Sequence, residues 1–292
     1  MGQTQHLKVD DRTFRRLLSL VRIEHTLLAL PPALTGAILA ERGLPGTRTL
    51  LLTALAFAAA RTCAMAFNRL VDRDFDALNP RTSNRELPMG LVRVAGVRLL
   101  TIGSALVFFL TAWGLNDLCL VLSPIALMIL LGYSYTKRFT WLCHLFLGVC
   151  LGLAPVAGWL AVTATFAWVP VILGLGVVFW VAGFDIIYAC QDVDFDREAK
   201  LHSLPARFGP THALRYAAVS HVLAFGLFVL TGIAAELGWL FYLFILITGW
   251  LLLYEHRPVR PTDLTYLDPA FFKVNSLVSA SLLLSVSIGL MS

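Results

Sequence analysis

Residues 61–90 read RTCAMAFNRLVDRDFDALNPRTSNRELPMG. The stretch begins apolar and ends as a dense polar run. Asn68, Asp72 and Asp76 are spaced four apart, a spacing that keeps all three on one face of a helix with a slow drift. Asp74 then points roughly the other way. Residues 185–209 read DIIYACQDVDFDREAKLHSLPARFG and repeat the D-x-D-x-D core at Asp192, Asp194 and Asp196. Asp185, Tyr188, Asp192 and Asp196 share a face there, because steps of three, four and seven residues nearly superpose. The two stretches also close alike, on ELP-M-G and SLP-AR-FG. That weak repeat suggests two related halves facing one cavity.

The rest of the chain is greasy. Of its 292 residues 58% are hydrophobic and 14% charged, against roughly 25% charged in soluble domains. Mean hydropathy is +0.76. A spanning helix needs about 20 mostly apolar residues. That ruler finds nine candidates, near 23–40, 49–70, 94–114, 118–135, 141–161, 169–191, 211–233, 236–254 and 271–290. Pro31-Pro32 should kink the first. The expected fold is all-α: a polytopic bundle of nine transmembrane helices in two pseudo-repeated halves, with residues 1–292 forming one integral membrane domain. The charged first twenty residues do not resemble a signal peptide. Cys63, Cys119, Cys143, Cys150 and Cys190 lie singly in apolar segments, so neither disulfides nor a zinc site is expected. The seven histidines are scattered; His144 and His221 read as packed, and His202 as the one to watch.

Positive charge orients the bundle. In a nine-span arrangement the N-terminal basic residues, the connections holding Arg69–Arg93, Lys137-Arg138 and Arg197–Arg215, and Arg257–Lys273 all fall on one side. The opposite connections offer Arg42 and Arg48. The N-terminus and both acidic stretches are therefore expected to face the cytoplasm. Net charge of +5 reflects this orientation rather than nucleic-acid binding.

Nine of the eighteen acidic residues sit in or beside the two stretches. Magnesium favours hard oxygen ligands and binds through one or two carboxylates together with substrate phosphates. Two facing carboxylate pairs suit two Mg2+ ions with a diphosphate between them. The expected metal ligands are Asp72, Asp76, Asp192 and Asp196, with Asn68 beside them and Asp74 and Asp194 outside. Asp185, almost two turns inside the sixth span, is costly unless used and joins them as a reacting-site carboxylate. Arg22, Arg81, Arg85, Lys137, Arg138 and Lys200 are candidates for diphosphate oxygens, Arg as a planar fork and Lys as a point charge. Tyr188 is a candidate substrate contact. Arg61 is expected to salt-bridge an acid within the bundle. P-loop, G-x-S-x-G and H-E-x-x-H motifs are absent from the sequence. A secondary transporter is the competing reading, but its acids should sit at mid-membrane rather than at span ends.

NRLVDRDFD and DVDFD, with NPRT at Asn79–Thr82 and YSYTKR at Tyr133–Arg138, resemble the UbiA superfamily of membrane prenyltransferases over essentially the whole chain. Within it the sequence is similar to the 4-hydroxybenzoate polyprenyltransferase branch and to the members assigned to menaquinone biosynthesis by the futalosine route. The resemblance implies Mg2+-dependent transfer of a polyprenyl group from polyprenyl diphosphate to an aromatic acceptor, 4-hydroxybenzoate or a hydroxynaphthoate, in ubiquinone or menaquinone biosynthesis. It implies contact with membrane lipid and a place in the bacterial inner membrane; another UbiA-type acceptor is the alternative.

Overall fold

The computed structural model describes residues 11–22, 29–257 and 269–292, with side chains from 16 and 272 onward in the first and last segments. Among these residues the structure is helical, with no strand. Thirteen α-helices follow in order: α1 (Asp11–Leu20), α2 (Pro31–Glu41), α3 (Thr47–Val71), α4 (Arg73–Leu78), α5 (Val94–Leu115), α6 (Asp117–Thr136), α7 (Cys143–Thr163), α8 (Trp168–Ala189), α9 (Val193–Glu198), α10 (Leu204–Phe208), α11 (Pro210–Ala234), α12 (Trp239–Tyr254) and α13 (Pro269–Gly289). A 3-10 turn, Cys190–Asp192, joins α8 to α9.

Seven of the described helices are long and apolar enough to cross a membrane, with mean hydropathy of 1.4 to 2.1. The predicted 236–254 span is a 16-residue apolar helix, α12. The predicted 23–40 span is described from residue 29; residues 23–28 lie outside the described residues. Pro31-Pro32 does not kink that span in mid-helix. The pair opens α2 at its first positions, where the missing N–H would have had no partner anyway.

These helices are apolar outside as well as inside. On α5, Leu99, Ile102, Leu106, Leu110 and Trp113 are all exposed, at helical spacing. Water would penalise such a stripe, whereas lipid accepts it. This is an integral membrane protein.

α8 packs between α7 and α11, α3 packs on α5, and α2 on α7, while α13 returns to α2 and α12. Small residues set these approaches. A Cβ on Gly152 of α7 would sit 2.7 Å from the Gly174 carbonyl of α8, and one on Gly174 2.6 Å from the Gly152 carbonyl. The helices meet backbone to backbone there. Leu173, Val177 and Val181 of α8 fill the core with Phe228, Phe241 and Ile245. All five cysteines are free thiols, Cys119 alone of them only half-buried, as expected.

Candidate active site

The two acidic stretches leave the ends of α3 and α8 in the same way. A single helix through Asn68, Asp72 and Asp76 was expected; the structure breaks it at Asp72. Asp72 has φ −94° and ψ 7°, ends α3 and starts α4. Asp192 has φ −103° and ψ 8° and starts α9. Both lie in the sparsely used bridge region of backbone space. The hydrogen-bond ladder still runs through the first joint, from Asp72 N to Asn68 O (2.9 Å) and from Asp76 N to Asp72 O (2.7 Å). The axis turns but the i, i+4 spacing survives.

Four residues after each joint a carboxylate turns inward. Asp76 and Asp196 are buried, 7% and 1% exposed. The alternate acids face out: the Asp74 side chain is 95% exposed and Asp194 is exposed.

Each inward acid has a cationic partner, and most partners come from another part of the chain. Arg85 Nη1 donates to both oxygens of Asp76 at 2.7 and 2.8 Å, and the buried Arg69 lies 3.9 Å away. Arg81 donates Nε to Asp192 Oδ1 (2.9 Å) and Nη2 to Oδ2 (2.5 Å). Its Nη1 reaches the Tyr188 hydroxyl at 2.8 Å. Asn79 adds a third bond to Asp192 at 3.0 Å, and its own carbonyl receives the Arg81 N–H at 2.9 Å. Lys137 Nζ donates to both oxygens of Asp196, at 3.0 and 3.1 Å. Arg138 holds the Val71 carbonyl (2.8 Å) and reaches Asp72 (3.5 Å), with its guanidinium over Phe75 and Tyr135. Asn68 donates its amide to Asp72 at 2.8 Å.

The electrostatics are unbalanced at Asp72. Burial, then the charge of Asp76, push its carboxyl above the ordinary range; Arg138 and Asn68 only partly offset them. Burial acts to lower the Lys137 amine, but Asp196 and Asp192 outweigh it and hold the amine above its usual value. Among the described residues no three His, Cys, Asp or Glu side chains converge as a ready-made metal site. The donors are nonetheless hard carboxylate oxygens in two pairs, with uncompensated negative charge at Asp72, and they suit a water-rich Mg2+ shared with phosphate oxygens.

Several expected residues fall elsewhere. Arg22, exposed, lines a cavity of about 330 Å³ with Arg69, Arg85 and Glu86. Lys200 is exposed with φ 55° and makes no ion pair among the described residues. Arg61 forms no salt bridge there either; its buried Nε has no hydrogen-bond partner, because no acid of the bundle reaches that depth of α3. The His202 side chain is exposed, and its backbone N–H reaches the Lys137 carbonyl at 2.7 Å. Asp185 is not paired with a cation of the loops. Its Oδ2 meets His144 Nδ1 at 2.7 Å. The sequence reading did not single out Arg69 or His144, since each looks like an isolated polar residue in an apolar helix.

A polytopic helical bundle with two acidic breaks at one end, each neutralised by Arg or Lys, defines a membrane enzyme for an anionic, apolar-tailed substrate. The UbiA prenyltransferase family matches residues 29–277, and the chain belongs to that family. It is 30% identical to a 4-hydroxybenzoate octaprenyltransferase of Vibrio cholerae serotype O1 over 281 residues, covering 95% of this chain and 99% of the relative. A UbiA homolog from Aeropyrum pernix superposes with TM-score 0.82 at 33% identity, covering 91% of this chain and 98% of the other. A UbiA homolog from Archaeoglobus fulgidus, bound to GPP and Mg2+, shares the fold with TM-score 0.71 at 21% identity, over 95% of this chain and all of the other. The protein is a prenyltransferase of the 4-hydroxybenzoate branch.

Proposed function

We propose that the enzyme transfers a polyprenyl group from polyprenyl diphosphate to an aromatic acceptor, 4-hydroxybenzoate or a hydroxynaphthoate, at the cytoplasmic face of a bacterial inner membrane. The carrying observation is the facing pair of helix breaks, Asp72/Asp76 and Asp192/Asp196, each with Arg or Lys bonded to its carboxylates. The names of the relatives support the substrate class. The whole chain is read as one domain.

Asp72, Asp76, Asp192 and Asp196 would hold Mg2+, with Asn68 supporting Asp72. Bound there, the metal would supply Lewis-acid stabilisation of a departing diphosphate. Arg81, Arg85, Lys137 and Arg138 sit on the same carboxylates. They are placed to exchange carboxylate partners for phosphate oxygens, a charge-assisted bond of similar strength. When the allylic C–O bond breaks, its electron pair leaves with the diphosphate, where preorganised cations are most effective. The electron-rich acceptor ring then forms the new C–C bond, and loss of the ring proton to a base restores aromaticity. Asp185 and Tyr188, on the same face of α8 as Asp192, position the acceptor. The apolar bundle excludes water from the cation and leaves the prenyl tail in lipid.

The test is a membrane assay with a labelled polyprenyl diphosphate, Mg2+ and each acceptor, read by mass spectrometry of the product. Absence of Mg2+-dependent product with every hydroxybenzoate and hydroxynaphthoate tried overturns the reading.

A further inference from the structure

Asp185 is the one inward acid whose partner is a buried histidine. His144 is 1% exposed, while the Asp185 side chain remains 21% exposed. The imidazole touches two groups. Nδ1 lies 2.7 Å from Asp185 Oδ2, and the Leu204 backbone N–H donates to Nε2 at 3.3 Å. An N–H pointing at Nε2 requires a lone pair there. The ring is therefore the neutral tautomer with its proton on Nδ1, donated to an ionised Asp185, an assignment made from the hydrogen-bond partners. Leu204 opens α10, and its N–H is one of those a helix start leaves without an intrahelical acceptor. Ser203, the cap, takes the N–H of Ala206 instead.

We infer that His144 is a positioning residue: its ring fixes the Asp185 carboxylate with Oδ1 left free toward the substrate side, and ties it to the start of α10 in the second acidic stretch. Oδ1 has no hydrogen-bond partner among the described residues, while Oδ2 is committed to the ring. Asp185, Tyr188 and Asp192 share one face of α8 and its extension. The free oxygen is thus on the side of the Arg81–Asp192 clamp. There it suits a hydrogen-bond donor on the acceptor, such as an aromatic hydroxyl. Through Leu204, movement of the stretch that carries Asp196 is felt at Asp185. The role rests on the prenyltransferase reading above; the ring tautomer does not.

Two readouts separate these. In ring-15N-labelled protein, NMR of His144 shows the neutral Nδ1–H tautomer whether or not any acceptor is prenylated. An Nε2–H ring or an imidazolium overturns the inference. In kinetics, His144→Leu lowers kcat about 10–100-fold, the usual loss for a group that orients a reacting residue. KM for the prenyl diphosphate stays near wild type. His144→Asn, whose Nδ2–H falls where Nδ1–H was, recovers most of the rate. An Asn variant as slow as a folded Leu variant, or a Leu variant as fast as wild type, overturns it. A wild-type enzyme inactive on every acceptor sinks the functional reading, with the tautomer result standing separately.

Discussion

Arg81 and Asp192, 111 residues apart in the chain, meet through two parallel N–H to oxygen bonds, a fork-to-fork pair. The arginine belongs to the first acidic stretch and the aspartate to the second. Lys cannot reproduce that geometry. Arg81→Lys is expected to raise KM for the prenyl diphosphate and lower kcat/KM about tenfold, corresponding to the loss of one charge-assisted hydrogen bond of about 1.5 kcal/mol. Steady-state kinetics at saturating acceptor measure it; an unchanged kcat/KM would show that the fork is only structural.

Asp72 and Asp74 are two residues apart yet differ in surroundings. Asp72 lies at the helix joint with Arg138 and Asn68 against it, and Asp74 is in solvent. Asp72→Ala is expected to cost about 100-fold or more in kcat, the scale of losing one preorganised electrostatic group. Asp74→Ala should stay within about twofold, as surface changes do. If the Asp74 variant were the weaker enzyme, the assignment of the inward face would be wrong.

pH and metal act together at Asp72. Its carboxyl is raised by burial and by Asp76, so the folded state binds the proton more tightly than the unfolded chain does. Stability from this group is therefore present below the unfolded value and is lost as pH rises through the folded one. At neutral pH the charge is a cost that a bound cation relieves. Mg2+ should raise Tm at pH 7.5 and do so less in acid, while EDTA should reverse the gain. Arg138→Ala removes one of the groups holding the carboxyl down, so the acid limb of the rate profile should move to higher pH. A shift toward acid would contradict this.

Lys137 and Asp196 form the most one-sided pair, since Asp196 is 1% exposed and the lysine side chain 36%. Removing the cation strands a buried carboxylate. Lys137→Met is expected to cost about 3 kcal/mol, the low end for breaking a buried pair because Lys137 reaches solvent. Adding Asp196→Asn should restore much of the stability but not the activity. Thermal unfolding in detergent against prenyl transfer distinguishes the two.

The spans were legible because each needs only its own run of apolar residues. The acids were legible because the same pattern occurs twice and α4 and α9 preserve i, i+4 spacing. The breaks at Asp72 and Asp192 were not, since nothing in LVDRD or CQDVD dictates a turn of the axis. Nor were the pairings of Arg81 with Asp192 and His144 with Asp185, because they depend on which helices abut, and helix α7 reaches α8 through glycines whose contact partner the sequence does not name. Arg61 was misjudged for the same reason: helical spacing gave its face but not what that face meets.

The Arg81–Asp192 clamp also sets a clock on biogenesis. The ribosome adds about 5–20 residues per second, so Arg81 emerges roughly 6–20 seconds before the aspartate it grips, a delay set by the 111-residue separation. Through that interval the first stretch waits at the membrane face with its guanidinium unmatched, free to rest on lipid phosphate. A nascent chain halted before residue 192 would hold the first acidic stretch without its partner, and the site would close only when the later helices arrive.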